Sequence, residues 1–318
     1  MFDHIIGHSK AKQSAVKILE SDSLAPAYLL KGPEACQIPS FMESLVKKIL
    51  CHSDKSDTCE CLSCVKFDSK VHPDLIILDE AKYSSEDVTR LEEFTHTKSF
   101  FNKPKVIVLH DIGNMNIKAQ NKILKILESP PKNVVFFVSL LGDQPILDTI
   151  NSRTVLIEFF KYSFQEFCKV AKSDGVDDSA LEIYYRLFEG TSSYNKFYDL
   201  GLVRESLLFY FQNIDAPNIL ELMLIPPGNL IPLKKIFKDN PFNWSLKLFC
   251  SLFLDRLSVY SGNKVFYNVD LSDKILEPNL SYKVVQKFAT VLRRGFKTGH
   301  YKNEWLWLQG NILDNQRL

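Results

Sequence analysis

The chain has 318 residues, 45% hydrophobic and 24% charged, which is the composition of an ordinary globular protein large enough for two or three domains. Its formal net charge of +1 excludes a strong cationic field over the whole surface, so any contact with nucleic acid must come from a local patch or from partner proteins. The longest apolar stretch, Val134–Leu141, is far shorter than the about 20 residues of a membrane span, and the N-terminus has no signal-peptide core, so we expect a cytoplasmic protein.

The first half of the chain alternates short apolar runs with helical patterns. Five runs are nearly continuous in apolar residues and rich in valine, isoleucine and phenylalanine, which is typical of strands buried on both faces. They are 27–30, 75–78, 105–110, 134–138 and 155–159. Between them, 41–50 and 116–128 repeat apolar residues at helical spacing, and Ile117, Leu124 and Leu127 line one face of the second. This alternation predicts a parallel five-stranded α/β sheet.

The pattern changes after about residue 161, where apolar residues recur mostly at helical spacing. Gly190, Pro226-Pro227-Gly228 and Gly262 interrupt the pattern. The clearest helical stretches are 180–189, 203–211, 245–257 and 282–294. We therefore expect an α/β N-terminal domain followed by a mostly helical half.

The loop after the first strand has the position of a phosphate-binding loop but not its residues. Such loops read G-x-x-x-x-G-K-[ST], and aligned on Gly32 this chain has Gln37, Ile38 and Pro39 where Gly, Lys and Ser or Thr are required. Ile38 removes the ammonium that would reach the β and γ phosphates, and Pro39 removes the hydroxyl that would hold Mg²⁺. The sequence predicts that the chain binds no ATP. Alternatively, Gly32-Pro33 is an ordinary turn between a strand and a helix.

Four of the seven cysteines cluster as C-x7-C-x-C-x2-C, at Cys51, Cys59, Cys61 and Cys64. In a cytosolic chain such a cluster indicates metal before disulfide, and four thiolates form a closed structural Zn²⁺ site without an open position for catalysis. Because only one residue separates Cys59 from Cys61, both sulfur atoms could reach the metal only through a tight turn. His52 could substitute for one of these thiolates. An insertion that has lost its metal is the alternative.

Several segments, in order over about residues 1–160, resemble clamp-loader subunits of bacterial DNA polymerase III. They are FDHIIGHSKAK, AYLLKGP, HPDLIIL, the long run from KVIVLHD through LESPP to VVFFVSL, and NSRT at 151–154, which is similar to the SRC motif. A degenerate phosphate loop combined with a retained motif arginine resembles the delta-prime branch of the family. Asp111 is the single acid of the Walker B region, and GTSS at 190–193 lacks the sensor-2 arginine of active members.

The resemblance implies an AAA+-type P-loop domain over 1–160 with a zinc module at 51–64, a helical lid over 161–201 and an all-α collar over 202–318 through which subunits oligomerise. It implies partners as well: gamma/tau ATPase subunits and delta, with the sliding clamp and primer-template DNA reached through the complex. The chain itself would hold no complete active site, although it would be part of the polymerase III holoenzyme.

Within the SRC-like motif, the resemblance assigns Arg153 the role of an arginine finger that acts in trans on ATP bound to a neighbouring subunit, with Ser152 beside it. The alternative is a surface arginine paired with an acid such as Glu158. The acid-free basic run 281–302 is read as a solvated helix face. Two other functions stay open: a divergent active AAA+ ATPase, and a zinc-containing nucleic-acid-binding protein outside a loader ring.

Overall fold

The computed structural model describes residues 2–53, 56, 58–78, 85–142, 144–197, 199–214, 226–233, 235–236, 242–276 and 280–298. The chain divides into two compact units, 1–169 and 170–318. The predicted division into 1–160, 161–201 and 202–318 stays a prediction. Of the basic run 281–302, side chains are described only as far as residue 290.

The first unit is built on a five-stranded, fully parallel sheet. The strands are β1 (Ala27–Gly32), β2 (Leu75–Leu78), β3 (Lys105–Leu109), β4 (Val134–Leu141) and β5 (Val155–Glu158). Their order across the sheet is β2-β3-β4-β1-β5. Each predicted run forms a strand in the expected parallel arrangement, so the predicted sheet is confirmed.

Within the described residues of this part, seven helices accompany the sheet strands. They are α1 (Ser9–Glu20), α2 (Ile38–Leu50), α3 (Leu62–Asp68), α4 (Ser85–His96), α5 (Ile117–Glu128), α6 (Asp148–Asn151) and α7 (Phe164–Ser173), the last of which crosses the boundary between the units. A 3-10 turn, Ile112–Asn114, precedes α5. Asn116 caps α5, since its side-chain oxygen accepts a hydrogen bond from the backbone N–H of Ala119 at 2.9 Å.

Successive strand residues point to opposite faces of the sheet, and both faces are buried. On one face, Leu30 and Val108 belong to a core that includes residues of α1 and α2. On the other, Leu29 and Ile107 belong to a core that includes residues of α4 and α5. A sheet covered on both faces explains why its strands are continuously apolar.

One detail of the predicted α5 face is wrong. Ile117 is 68% exposed, whereas Ile123 and Leu127 are buried against the sheet. Ile117 is the first residue of α5, and its side chain lies outside the core although it fits the apolar pattern.

The described part of the second unit is mostly helical, as the sequence predicts. Its helices are α8 (Leu181–Leu187), α9 (Leu200–Gln212), α10 (Phe242–Tyr260), α11 (Ser272–Leu276) and α12 (Tyr282–Thr298). The buried Asp255 carboxylate on α10 accepts hydrogen bonds from the backbone N–H groups of Phe266, Tyr267 and Asn268 and so fixes the turn that follows α10. None of the described helices has the length and apolar character needed to cross a bilayer.

Candidate functional site

The loop between β1 and α2 keeps a tightly turned backbone. A Cβ atom on Gly32 would lie 2.6 Å from the Cβ atom of Phe159, so only glycine fits beside β5 there. Ala35 and Gln37 have φ values of +55° and +57°, in the left-handed region that favours glycine. Gln37 therefore holds a backbone conformation that a glycine would adopt more easily.

The side chains of this loop turn toward the protein. The Ile38 side chain is fully buried in the core that also holds Phe41 of α2. The amide oxygen of Gln37 accepts a hydrogen bond from the backbone N–H of Ile6 at 3.0 Å. Burial raises the pKa of the Cys36 thiol to about 12, so this thiol stays protonated at neutral pH.

Asp111, an acid just after β3, forms hydrogen bonds with neighbouring backbone and side-chain groups. Its carboxylate accepts hydrogen bonds from the backbone N–H of Leu141 and from the side-chain amide of Asn114, both at 3.1 Å. Its own backbone N–H donates to the hydroxyl of Ser139 at 2.8 Å. These bonds tie the ends of β3 and β4 together.

Arg153 lies in the short connection between α6 and β5, with its side chain 36% exposed. One guanidinium nitrogen donates to the backbone carbonyl of Thr149 at 3.1 Å. The other lies 3.2 Å from the carboxylate of Glu128, at the end of α5. The acid beside Arg153 is therefore Glu128 and not Glu158. Ser152 next to it is exposed, and its hydroxyl donates to the same Thr149 carbonyl at 3.1 Å.

The four clustered cysteines come together, and their sulfur atoms all lie within 4.8 Å of one another. The Cys51 sulfur is 3.5 Å from that of Cys59 and 4.0 Å from that of Cys61. In a tetrahedral zinc site with Zn–S bonds of about 2.3 Å, sulfur atoms are about 3.8 Å apart. The cluster can therefore hold one metal ion, and the short step between Cys59 and Cys61 does not prevent this arrangement.

His52 is not part of this cluster of sulfur atoms. Its ring instead packs against that of Phe101, with centroids 5.1 Å apart. Four cysteines already supply a complete tetrahedral set of ligands.

A hydrogen-bonded chain that sequence reasoning missed leads away from the cysteines. The Ser63 hydroxyl donates to the Leu50 carbonyl at 2.7 Å and lies 2.8 Å from Nε2 of His72. Nδ1 of His72 accepts from the backbone N–H of Asp74 at 3.1 Å, so Nε2 carries the proton and donates to Ser63. His72 and Asp74 are the first and last residues of the segment HPD, and the resemblance of this segment to the family was the signal available for them.

Comparison with known proteins relates the first half of the chain to DNA polymerase III subunits. Residues 7–163 match the family described as "DNA polymerase III, delta subunit". This stretch is just under half of the chain and is similar to that family of DNA polymerase III subunits. The delta' subunit of DNA polymerase III from Bacillus subtilis is 31% identical over 145 residues, which cover 44% of each chain.

Two further proteins are similar to the chain. The tau subunit of DNA polymerase III from Bacillus subtilis is 24% identical over 200 residues, 59% of this chain and 35% of that protein. A solved gamma-subunit-related protein from Thermotoga maritima aligns with 97% of this chain and 99% of its own at 16% identity and a TM-score of 0.44. The chain thus spans less than half the length of these two Bacillus relatives.

Proposed function

We propose that this chain is a non-hydrolysing subunit of the DNA polymerase III clamp loader. It supplies Arg153 as an arginine finger, which acts in trans on ATP bound by a neighbouring subunit while the complex loads the sliding clamp onto primed DNA. The observation that supports this most strongly is a contrast within one unit: the guanidinium of Arg153 is partly exposed to solvent, whereas Ile38 is turned into the core.

Several features of the loop after β1 speak against nucleotide binding by this chain. Ile38 provides no ammonium, and its side chain is fully buried in the core. A lysine at this position would have to turn out of the core to reach a phosphate. Pro39 stands in the first turn of α2 without a hydroxyl or a backbone N–H. With no group to neutralise phosphate charge or bind Mg²⁺, the loop lacks the main chemical components of a phosphoryl-transfer site.

Arg153 has the properties required of a finger. A guanidinium presents a planar set of donors that fits two oxygens of a phosphate, and it stabilises the charge that develops on the transferred phosphoryl group. Its present partner, Glu128, is itself half exposed, so their ion pair contributes at most about 1 kcal/mol. Exchanging this carboxylate for a phosphate therefore requires little free energy.

The four cysteines suit a structural zinc site. Zn²⁺ would join the end of α2, through Cys51, to α3, through Cys64, with Cys59 and Cys61 from the loop between them. When bound, it supplies folding energy and no chemistry, because all four positions are protein ligands. The proposed partners are gamma/tau and delta subunits, and the proposed location is the cytoplasm.

The test is the ATPase rate of the reconstituted complex in the presence of clamp and primed DNA. Arg153→Ala should leave the chain folded and the complex assembled, because one exposed arginine contributes little to stability. Hydrolysis at the one affected site should fall by about 10³-fold, so the total rate falls by roughly that site's share. Arg153→Lys should restore little, since an ammonium lacks the planar donors.

Arg90→Ala is the matched control. Arg90 on α4 is also exposed and also lies near a carboxylate, Asp87, at 3.9 Å, but it has no proposed role in catalysis. Gel filtration should show complete assembly of both variant complexes. Equal ATPase rates for the wild-type and fully assembled Arg153→Ala complexes would show that Arg153 is an ordinary surface arginine.

A further inference from the structure

Four lysines line one open pocket of about 430 Å³ at the edge of the sheet where β3 and β4 begin. They are Lys98, Lys103, Lys105 and Lys132. The other residues that line the pocket all carry hydroxyl or amide groups, and none of them is acidic. Because all five strands are parallel, this edge is opposite the one where the loop after β1 lies.

Three of these lysines have uncompensated charges. Within the described part of the chain, Lys98, Lys103 and Lys132 form no ion pair or side-chain hydrogen bond. Lys105 is buried, and its ammonium donates to the Thr97 hydroxyl and to the backbone carbonyls of Phe94 and Thr97. Burial lowers the pKa of Lys105, while the nearby Asp74 carboxylate works in the opposite direction. The pocket therefore has an excess of positive charge.

An exposed aromatic ring stands next to this pocket. Phe100 is 68% exposed and lies between two residues that line the pocket, Ser99 and Asn102. The buried Asp74 carboxylate fixes this segment: it accepts hydrogen bonds from the backbone N–H groups of Phe100 and Phe101, at 2.7 and 2.9 Å, and from the Ser99 hydroxyl at 3.1 Å. The fold thus holds the backbone of an exposed phenylalanine in place.

We propose that this pocket binds the backbone of single-stranded nucleic acid, with Phe100 stacking on an unpaired base. Lysine, hydroxyl and amide groups are the usual donors to phosphate oxygens. An exposed aromatic beside a cationic groove is the usual arrangement for binding single strands, whose bases offer a free face. An acidic protein partner is less well matched, because a protein interface has an apolar centre and this pocket is lined by polar residues.

The binding belongs to the chain itself and does not depend on the proposed loader function. The net charge of +1 gives the molecule as a whole little attraction for polyanions. Binding of nucleic acid would therefore come from the local lysines of this pocket. The experiment therefore uses the isolated full-length chain.

Fluorescence anisotropy with a labelled oligothymidylate, between 50 and 200 mM salt, measures the binding. Three phosphate contacts by free lysines predict a slope of log K against log salt of about −2, since each contact to a single strand contributes about −0.7. Lys103→Glu with Lys132→Glu should weaken binding by at least about tenfold and flatten this slope. Phe100→Ala should weaken binding by about tenfold with the slope unchanged, since stacking involves no counterions.

The matched control is Lys17→Glu with Lys169→Glu. These two lysines are exposed and lie outside the pocket, and their replacement changes the net charge by the same amount, so binding should stay within about twofold. Melting curves confirm that each variant is folded. No measurable binding by the wild-type chain at 50 mM salt, or an equal loss in the two double variants, would overturn the proposal.

Two other outcomes would also contradict it. If the pocket double variant binds oligothymidylate normally but no longer binds the sliding clamp, the occupant is an acidic protein surface. If the lysine variants weaken binding and Phe100→Ala has no effect, the ring does not stack and that part of the proposal is wrong.

Discussion

Ile38 occupies the position at which a phosphate-binding loop has its lysine. Its side chain lies fully buried among residues of α2 and the sheet, and the preceding residue, Gln37, binds the backbone N–H of Ile6. The backbone of the loop still turns through two left-handed residues, Ala35 and Gln37, as a glycine-containing loop would. The side chain at this position is thus part of the core, and replacing Ile38 with lysine alone should not restore phosphate binding.

Ile38→Lys is expected to destabilise the chain by about 4 kcal/mol or more, because it buries an ammonium without a partner of opposite charge. The free energy of unfolding, from urea denaturation, measures this effect. Ile117→Lys is the control, since it makes the same substitution at a residue that is 68% exposed and should change stability by less than about 1 kcal/mol. Equal stability of the two variants would show that Ile38 is not a core residue.

The sequence indicated Arg153 as a site residue but did not indicate its partner. Glu158 was the neighbouring acid along the chain, whereas the structure pairs Arg153 with Glu128, 25 positions away. The contact forms because α5 and α6 lie against each other in the fold, and spacing along the chain contains no signal for such a contact. The same limit applies to Asp74, whose partners at 99–101 are distant in sequence.

Among the elements, the strands were predictable to within three residues at either end. Burial on both faces makes them continuously apolar, and this pattern is hard to mistake. Among the helices of the first unit, α1, α3 and α4 were not predicted. α3 has seven residues, and α1 and α4 contain many polar residues, so their apolar stripes are narrow. Parallel strands require crossover connections, but this requirement does not fix where a connecting helix begins and ends.

The segment between α2 and β2 connects the cysteine cluster to the sheet. Ser63 lies between Cys61 and Cys64, and its bond to His72 continues to Asp74, which holds the backbone of Phe100. Clustered cysteines predicted a metal site from spacing alone. The link to the 99–101 segment was not predictable, because it depends on the side-chain positions of residues far apart in sequence.

Cys61→Ser should lower the free energy of unfolding by roughly 3 kcal/mol, because binding of a structural metal is coupled to folding. Purified wild-type protein should contain about one Zn²⁺ per chain, and a chelator should lower its melting temperature without affecting that of the variant. Cys168→Ser, outside the cluster and partly exposed, is the control and should behave like the wild type. Well under half an equivalent of zinc in protein prepared without chelator would contradict the metal site.

For the whole molecule, the sequence indicated one sheet-based part and one helical part, and the structure has both. The similarity to the clamp-loader family lies in the first unit, since the matching residues are 7–163. The second unit offers no motif of comparable specificity. Helical periodicity there predicts burial, and several arrangements of helices satisfy it equally well, so a collar role for 202–318 is a proposal that rests on the family.

Nucleotide binding by the chain separates an ATPase from a subunit that only assists one. The full-length chain should bind Mg·ATP more weakly than about 1 mM by calorimetry and should not hydrolyse it, because the loop after β1 lacks the lysine, the hydroxyl and the glycine of a phosphate-binding loop. Gln37 already satisfies the Ile6 N–H, and Ile38 completes the core, so a bound nucleotide would have to displace native contacts. A gamma/tau subunit from the same cell, measured under the same conditions, shows that the assay detects a working site. Micromolar binding by the isolated chain, lost on changing Gly32 or Gln37, would make it a divergent active ATPase.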